Sequence, residues 1–201
     1  MPQSKLYQPL LLRLLHGVNA ILVIGAAITG FLVYDSWDGR FGKLGLTLKN
    51  RELIDIHGTF GFFFLPIMIG LTIYSIRAGS KRLVQPDSLN KLTQVGKPIW
   101  WVTLQRLANT LMLIAAIFSL ISGKFQDENW LPNGEKNRVW YYVHLIAWCG
   151  IIASLAIHIL MSIKVGGIPL ILSMFEPKFR PEDHPARWHE KVKAWLRRPH
   201  L

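Results

Sequence analysis

Four apolar stretches constrain this chain more than anything else in it. They cover residues 10–34, 53–76, 99–122 and 139–163. A helix needs about 20 mostly apolar residues to cross the hydrocarbon core of a bilayer, and each stretch is long enough. The expected fold class is an all-α integral membrane protein, a four-transmembrane-helix up-and-down bundle. The connections, residues 35–52, 77–98 and 123–138, gather turn formers and charge. The first stretch does not read as a signal peptide, because its apolar region is too long and Arg13 and His16 lie near its start.

Composition agrees with a membrane chain: 51% of the 201 residues are hydrophobic and 17% are charged. The bundle is expected over residues 1–175, followed by a cytoplasmic basic tail over 176–201. The net charge of +11 would suit nucleic acid, but no DNA- or RNA-recognition motif accompanies it. In a membrane chain such an excess reports loops held on the cytoplasmic side. The N-terminal part, the second connection and the region from Lys164 onward carry fifteen Lys and Arg, against seven in the first and third connections. The positive-inside rule then puts both termini in the cytoplasm, in a bacterial inner membrane or another energy-transducing membrane.

Within the fourth stretch stand His144 and His158, fourteen residues apart. Fourteen residues of α-helix turn about 1400°, about 40° short of four full turns, and rise about 21 Å. Both imidazoles therefore share one face but lie too far apart to hold one metal. Each is suited to a separate haem, one near each side of the bilayer. His16 in the first stretch and His57 in the second can supply the opposite axial ligands. Tracing the spans in and out puts His57 level with His144 near the outer face, and His16 level with His158 near the cytoplasmic one. Each pair would clamp a haem between two helices. A haem with two imidazole ligands has no open position, which suits electron transfer rather than oxygen chemistry. The single cysteine, Cys149, and the absence of Cys-x-x-Cys-His exclude covalent attachment, so the expectation is two non-covalent haem b. Any one of these histidines alone could equally be a helix-packing residue. His184, His189 and His200 fall in the polar tail and read as surface residues.

Arg13, one turn before His16, and Arg106, within the third stretch, are costly in a membrane unless paired or snorkelling. Both are candidate partners for the acid groups of the inner haem. Gly17, Gly58 and Gly61 could let a flat ring approach the backbone, and Phe60, Phe62, Phe63 and Phe64 could line it, although helix packing and lipid contact serve as well. Trp37, Trp100, Trp101, Trp130 and Trp140 sit at stretch ends as interfacial anchors. The stretch 165–175 is too short to span and reads as an interfacial segment. Residues 185–198 set Trp188, Val192, Trp195 and Leu196 at helical spacing among basic side chains, the pattern of a basic amphipathic helix that lies on the membrane surface or docks an acidic electron-transfer partner on the cytoplasmic side.

The four spans, with His16, His57 and the His144–His158 spacing, resemble the di-haem cytochrome b subunits of membrane formate dehydrogenases and nickel–iron hydrogenases, within the wider bacterial cytochrome b561-like superfamily. Arg13-Leu-Leu-His16 is similar to that group's Arg-x-x-His opening, and the resemblance covers residues 10–175. It implies a subunit that passes electrons between a partner redox enzyme and quinone, with the quinone near the cytoplasmic haem and the start of the third span. An Asn-Pro-x-Gln-Arg segment common there stands here as Val102-Thr103-Leu104-Gln105-Arg106, so Gln105 and Arg106 match and Asn-Pro does not. Gln105 and Thr103 are then candidates to hydrogen-bond a quinone carbonyl, or to serve between helices.

No residue set supports substrate chemistry. Dehydrogenase chemistry linked to this chain would lie in another subunit or a soluble electron donor, unless the chain takes electrons directly from a small reductant. Two other classes compete: a haem-free membrane transporter or proton-conducting subunit that uses the intramembrane histidines as relays, and a cofactor-free assembly subunit.

Overall fold

The computed structural model describes residues 7–46 and 48–197. Its helices in chain order are α1 (Leu10–Trp37), α2 (Glu52–Arg77), α3 (Ser88–Leu92), α4 (Pro98–Lys124), α5 (Val139–Leu172) and α6 (Trp188–Leu196). Helices α1, α2, α4 and α5 are long and apolar enough to cross a membrane. Among the described residues there is no strand. The chain is thus all-helical around four membrane helices, as the apolar pattern requires.

Each long helix outruns its apolar stretch, because a helix continues until a residue stops it and not merely to the edge of the hydrocarbon. α1 ends where Gly39 takes a left-handed backbone (φ 65°), and both Asp38 N–H and Gly39 N–H return 2.9 Å bonds to Tyr34 O. Glycine takes that conformation without the usual Cβ penalty. α2 opens with Glu52 and Asp55 and closes with Arg77, charges that oppose the helix dipole. α4 starts on Pro98, whose missing N–H would be unpaired there in any case. α5 runs beyond 163 and breaks at Gly167 (φ 66°, ψ −172°), with Pro169 just after it. The stretch 165–175 is therefore joined to the last membrane helix through this break rather than separate from it. The sequence pattern missed this because an apolar count does not register backbone continuity. The helix expected over 185–198 is found as α6, after a 3-10 turn at Pro185–Arg187.

α1 packs along α2, and α4 along α5. The two hairpins meet in a buried layer of Val23, Phe64, Met68, Ala116 and Ile151, to which every membrane helix contributes. Trp148 on α5 fastens the hairpins together. Its Nε1–H donates to Ala27 O at 3.1 Å, and its ring stacks on Phe31. Large apolar side chains such as Ile21, Phe62 and Ile146 face outward, the arrangement a lipid solvent favours.

The first and last parts of the chain meet at one end of the bundle, called here the termini end. Tyr7 OH donates to Asp183 and accepts from Arg180 N–H at 3.2 Å. The Arg180 guanidinium lies 4.2 Å from the Tyr7 ring centre. Arg13, buried on α1, donates to Lys178 O at 2.9 Å. At the far end, the Asp35 carboxylate gathers the chain after α1 by accepting from Leu44 N–H, Gly45 N–H and Leu46 N–H.

That carboxylate is the only group tying the 44–46 backbone to α1 in this way among the described residues. Asp35→Ala should therefore accelerate amide hydrogen exchange at Leu44 and Leu46 by about tenfold or more, the effect of losing a charge-assisted bond. Exchange in the α4–α5 hairpin should not change. Unaltered exchange at Leu44 and Leu46 would show that the loop is held by other contacts.

Candidate metal centres between facing histidines

Four histidines meet in two pairs, one near each end of the bundle. His16 on α1 faces His158 on α5 near the termini end, with ring centres 6.1 Å apart and planes tilted by 36°. His57 on α2 faces His144 on α5 near the far end, with centres 5.9 Å apart and planes at 85°. With metal–imidazole bonds of about 2 Å and a ring centre about 1 Å behind each nitrogen, two imidazoles trans on one metal have centres about 6 Å apart. Both pairs hold that spacing.

The hydrogen bonds behind the rings decide which nitrogen each presents. Thr29 Oγ1 donates its own proton to Gly25 O at 2.7 Å. Its 3.1 Å contact with His57 Nδ1 is then an acceptance from Nδ1–H. Ser122 Oγ likewise donates to Phe118 O and accepts from His144 Nδ1 at 3.0 Å. Ser119 O, which can only accept, lies 3.1 Å from the same nitrogen. Asn109 Nδ2 donates to Arg82 O at 2.9 Å, which fixes Oδ1 as the acceptor for His158 Nδ1 at 2.7 Å. Three of the four rings are thus held as Nδ1–H tautomers, which leaves Nε2 with a free lone pair. Metal-binding histidines are oriented and tuned through this same use of the second nitrogen.

Glycines give the rings room. A Cβ on Gly30 would come within 2.9 Å of His57 Cε1, and one on Gly123 within 3.3 Å of His144 Cε1. Gly17, Gly58 and Gly61 border open space, since a Cβ at any of them meets nothing within 4 Å, so the backbone there is open to the approach of a flat ring. Of the aromatic run, Phe64 is in the core layer, Phe60 lies over Gly25, and Phe62 and Phe63 point outward.

The other candidates lie around the termini-end pair. Arg13 spends one arm on Lys178 O, and its buried Nε has no partner. Gln105 Nε2 donates to Ser162 Oγ at 3.1 Å, and Ser162 donates in turn to His158 O at 2.7 Å. Gln105 is therefore bridged to the helical turn that carries His158. Arg106 is half-buried and reaches toward the α2–α4 connection. There the Lys91 ammonium bonded to Asp87, with the Arg106 charge behind it, holds the Asp87 carboxyl below the usual carboxylate range. Thr103 is fully buried and donates to its own helix at Ile99 O. In the tail, His184 Nδ1 accepts from Ala186 N–H. His200 lies outside the described residues.

Thr29, Ser119, Ser122 and Asn109 were not visible as site residues in the sequence. Asn109 left a usable signal, because an amide inside a membrane helix needs a partner. Serine and threonine left none, since they bond their own helix almost anywhere.

Two imidazoles cannot by themselves complete a metal's coordination. Among the described residues no third His, Cys, Asp or Glu joins either pair. A metal held there would need its remaining ligands from a bound group. A family model for prokaryotic cytochrome b561 matches residues 7–177.

The chain belongs to the prokaryotic cytochrome b561 family.

Among curated proteins and solved structures, nothing matches it significantly. Family membership makes this cytochrome b561 a multi-pass bacterial membrane protein of b-type haem electron transfer. The facing histidines, their spacing and their free Nε2 atoms fit such a group.

The Gly30 contact provides a local test. Gly30→Ala should displace His57 and lower the haem count from a pyridine haemochrome assay by about one per chain, because packed neighbours yield little to an added methyl. An unaltered count in Gly30→Ala would mean that the His57 ring position does not govern haem binding.

Proposed function

We propose that this chain carries electrons across the bilayer through two haem b groups, one held by His16 and His158 and the other by His57 and His144. The observation that carries this reading is the pair of equally spaced imidazole gaps at opposite ends of one bundle. His144 and His158 lie about 21 Å apart along α5. Bound there, each haem supplies a one-electron Fe(III)/Fe(II) couple. With His16 and His158, or His57 and His144, on its two sides, such a haem would keep no open position for a substrate. The apolar middle layer separates the two sites, and Thr29, Ser122 and Asn109 hold the Nδ1–H groups of His57, His144 and His158, which leaves the Nε2 atoms of these three rings for a metal. Such a site would pass electrons without binding anything new, as a relay requires.

The termini end faces the cytoplasm in this proposal, in keeping with the charge distribution across the connections. Quinone is the acceptor or donor at that end, near Gln105 and Ser162, which sit one turn beyond His158. At the far end electrons pass to or from a redox-enzyme subunit or a soluble electron carrier. The proton-relay alternative gains nothing from the structure. Between the two histidine pairs lies the apolar layer of Val23, Phe64, Met68, Ala116 and Ile151, and the buried Ser154 hydroxyl beside it is bonded to its own helix at Gly150 O.

A reduced-minus-oxidised spectrum of the purified chain, with a pyridine haemochrome count, tests the ligand scheme. The expected result is a b-type α-band with two haems per polypeptide. His57→Ala or His144→Ala should remove one, and His16→Ala or His158→Ala the other. A single haem in the unaltered chain, or two haems surviving all four changes, would sink the scheme. For the quinone, Gln105→Leu should reduce quinone-dependent oxidation of the pre-reduced protein by about tenfold, the scale of one lost hydrogen bond to a bound ligand, with both haems retained. An unchanged rate would remove Gln105 from the quinone site.

A further inference from the structure

Three neighbouring polar atoms at the far end, Ser36 Oγ, Trp37 Nε1 and Asp38 Oδ1, are buried without a hydrogen-bond partner among the described residues, and the indole is the one committed donor of the three. The Trp37 Nε1–H is buried and bonds nothing among the described residues. An indole N–H in that position normally finds an acceptor, and leaving it without one is costly. Its place on α1 is specific. Trp37 comes seven residues after Gly30, the residue against which the His57 ring lies. Seven residues turn about 700°, about 20° short of two full turns, and rise about 10 Å. Trp37 therefore shares the helix face that meets His57 and stands two turns nearer the far end. That offset is about the reach from the metal of a porphyrin to its carboxylate arms.

The charges beside Trp37 point to the same ligand. The Asp38 side chain is fully buried, with Arg40 Nε at 3.0 Å and Lys136 Nζ at 3.9 Å. Tyr141 OH, one turn outward of His144 on α5, donates to Asp38 at 2.9 Å. Two cations thus face one carboxylate, and although Arg40 also donates to Asn137, Tyr142 and Lys136 O, one positive charge is left over for a second anion. The other buried acid, Asp35, is already occupied by three backbone N–H groups.

We infer that Trp37 Nε1–H, supported by the Arg40 and Lys136 charges, is the hydrogen-bond donor to a carboxylate arm of the haem held between His57 and His144. The inference rests on the ligand scheme proposed above. It gives the far-end haem a fixed orientation, with its acid arms toward the Asp38 cluster and its apolar edge toward the middle layer.

The test uses the intact, haem-loaded chain and two substitutions. Trp37→Phe removes the N–H and keeps an aromatic ring, and Trp37→His restores a donor. In Trp37→Phe, one haem-carboxylate bending band in the resonance Raman spectrum should move to lower frequency. Release of one haem to an excess of a haem-binding apoprotein should quicken by about tenfold, the scale of a charge-assisted hydrogen bond. Trp37→His should recover much of both. In the unaltered chain, the same band should shift on transfer to D2O, because the donor proton exchanges. An absent D2O shift overturns the inference even if Trp37→Phe fails to assemble. So does a Trp37→Phe protein with unchanged band and release rate. If His57→Ala still holds two haems, the ligand scheme fails and this inference falls with it. If His57→Ala loses one haem while Trp37→Phe changes nothing, only the role of Trp37 falls.

Discussion

A buried imidazole has two nitrogens to satisfy, and in hydrocarbon neither can turn to water. The bundle answers half of that demand with its own helices. Thr29 and Gly30 receive His57, Ser119 and Ser122 receive His144, and Asn109 receives His158. Each answer fixes the position of a neighbouring helix as well as a ring. His57 reaches across α1, so α2 cannot slide along it without breaking the Thr29 bond. His144 and His158 are both held by α4, which locks the register of the α4–α5 hairpin at two levels. The nitrogen left over on these three rings is the one that the proposed scheme gives to a metal between the facing imidazoles.

The spacing along two helices makes this arrangement repeat. On α5 the order is His144, Ile151, His158, at intervals of seven residues, and on α1 it is His16, Val23, Gly30, Trp37. An interval of seven returns to nearly the same face every two turns. One face of each helix therefore presents polar groups near its ends and an apolar side chain between them. Val23 and Ile151 belong to the same buried layer, so the two helices place their apolar midpoints at the same depth. That layer separates the two histidine pairs, and its alignment keeps them in register across the bundle.

The fold was largely legible in the sequence, because membrane helices announce themselves by length and hydropathy alone. The pairing of the histidines was legible too, since helix direction and residue spacing fix depth without any knowledge of contacts. What stayed hidden depended on rotation about the helix axis and on backbone breaks. Gly30 and Gly123 look no different in sequence from Gly17, Gly58 and Gly61, yet only the first two meet a histidine ring. Ser122 and Thr29 read as ordinary residues that bond their own helix, and they do so while also accepting from a ring nitrogen. Arg13 read as an inner-haem partner from its spacing to His16. Its bond to Lys178 O lies 165 residues away in sequence, beyond the reach of any local pattern.

That long-range bond also has a temporal meaning. Arg13 lies near the start of the first membrane helix, but its carbonyl partner belongs to the chain that follows the last one. During synthesis α1 must enter the membrane with this guanidinium still waiting, its charge left at the headgroup level by snorkelling. Only when residues 178–183 emerge can Tyr7 and Arg13 close onto them and shut the termini end of the bundle. The two hairpins can therefore remain apart until residues 178–183 have been made, and until then the space between the facing histidines can stay open.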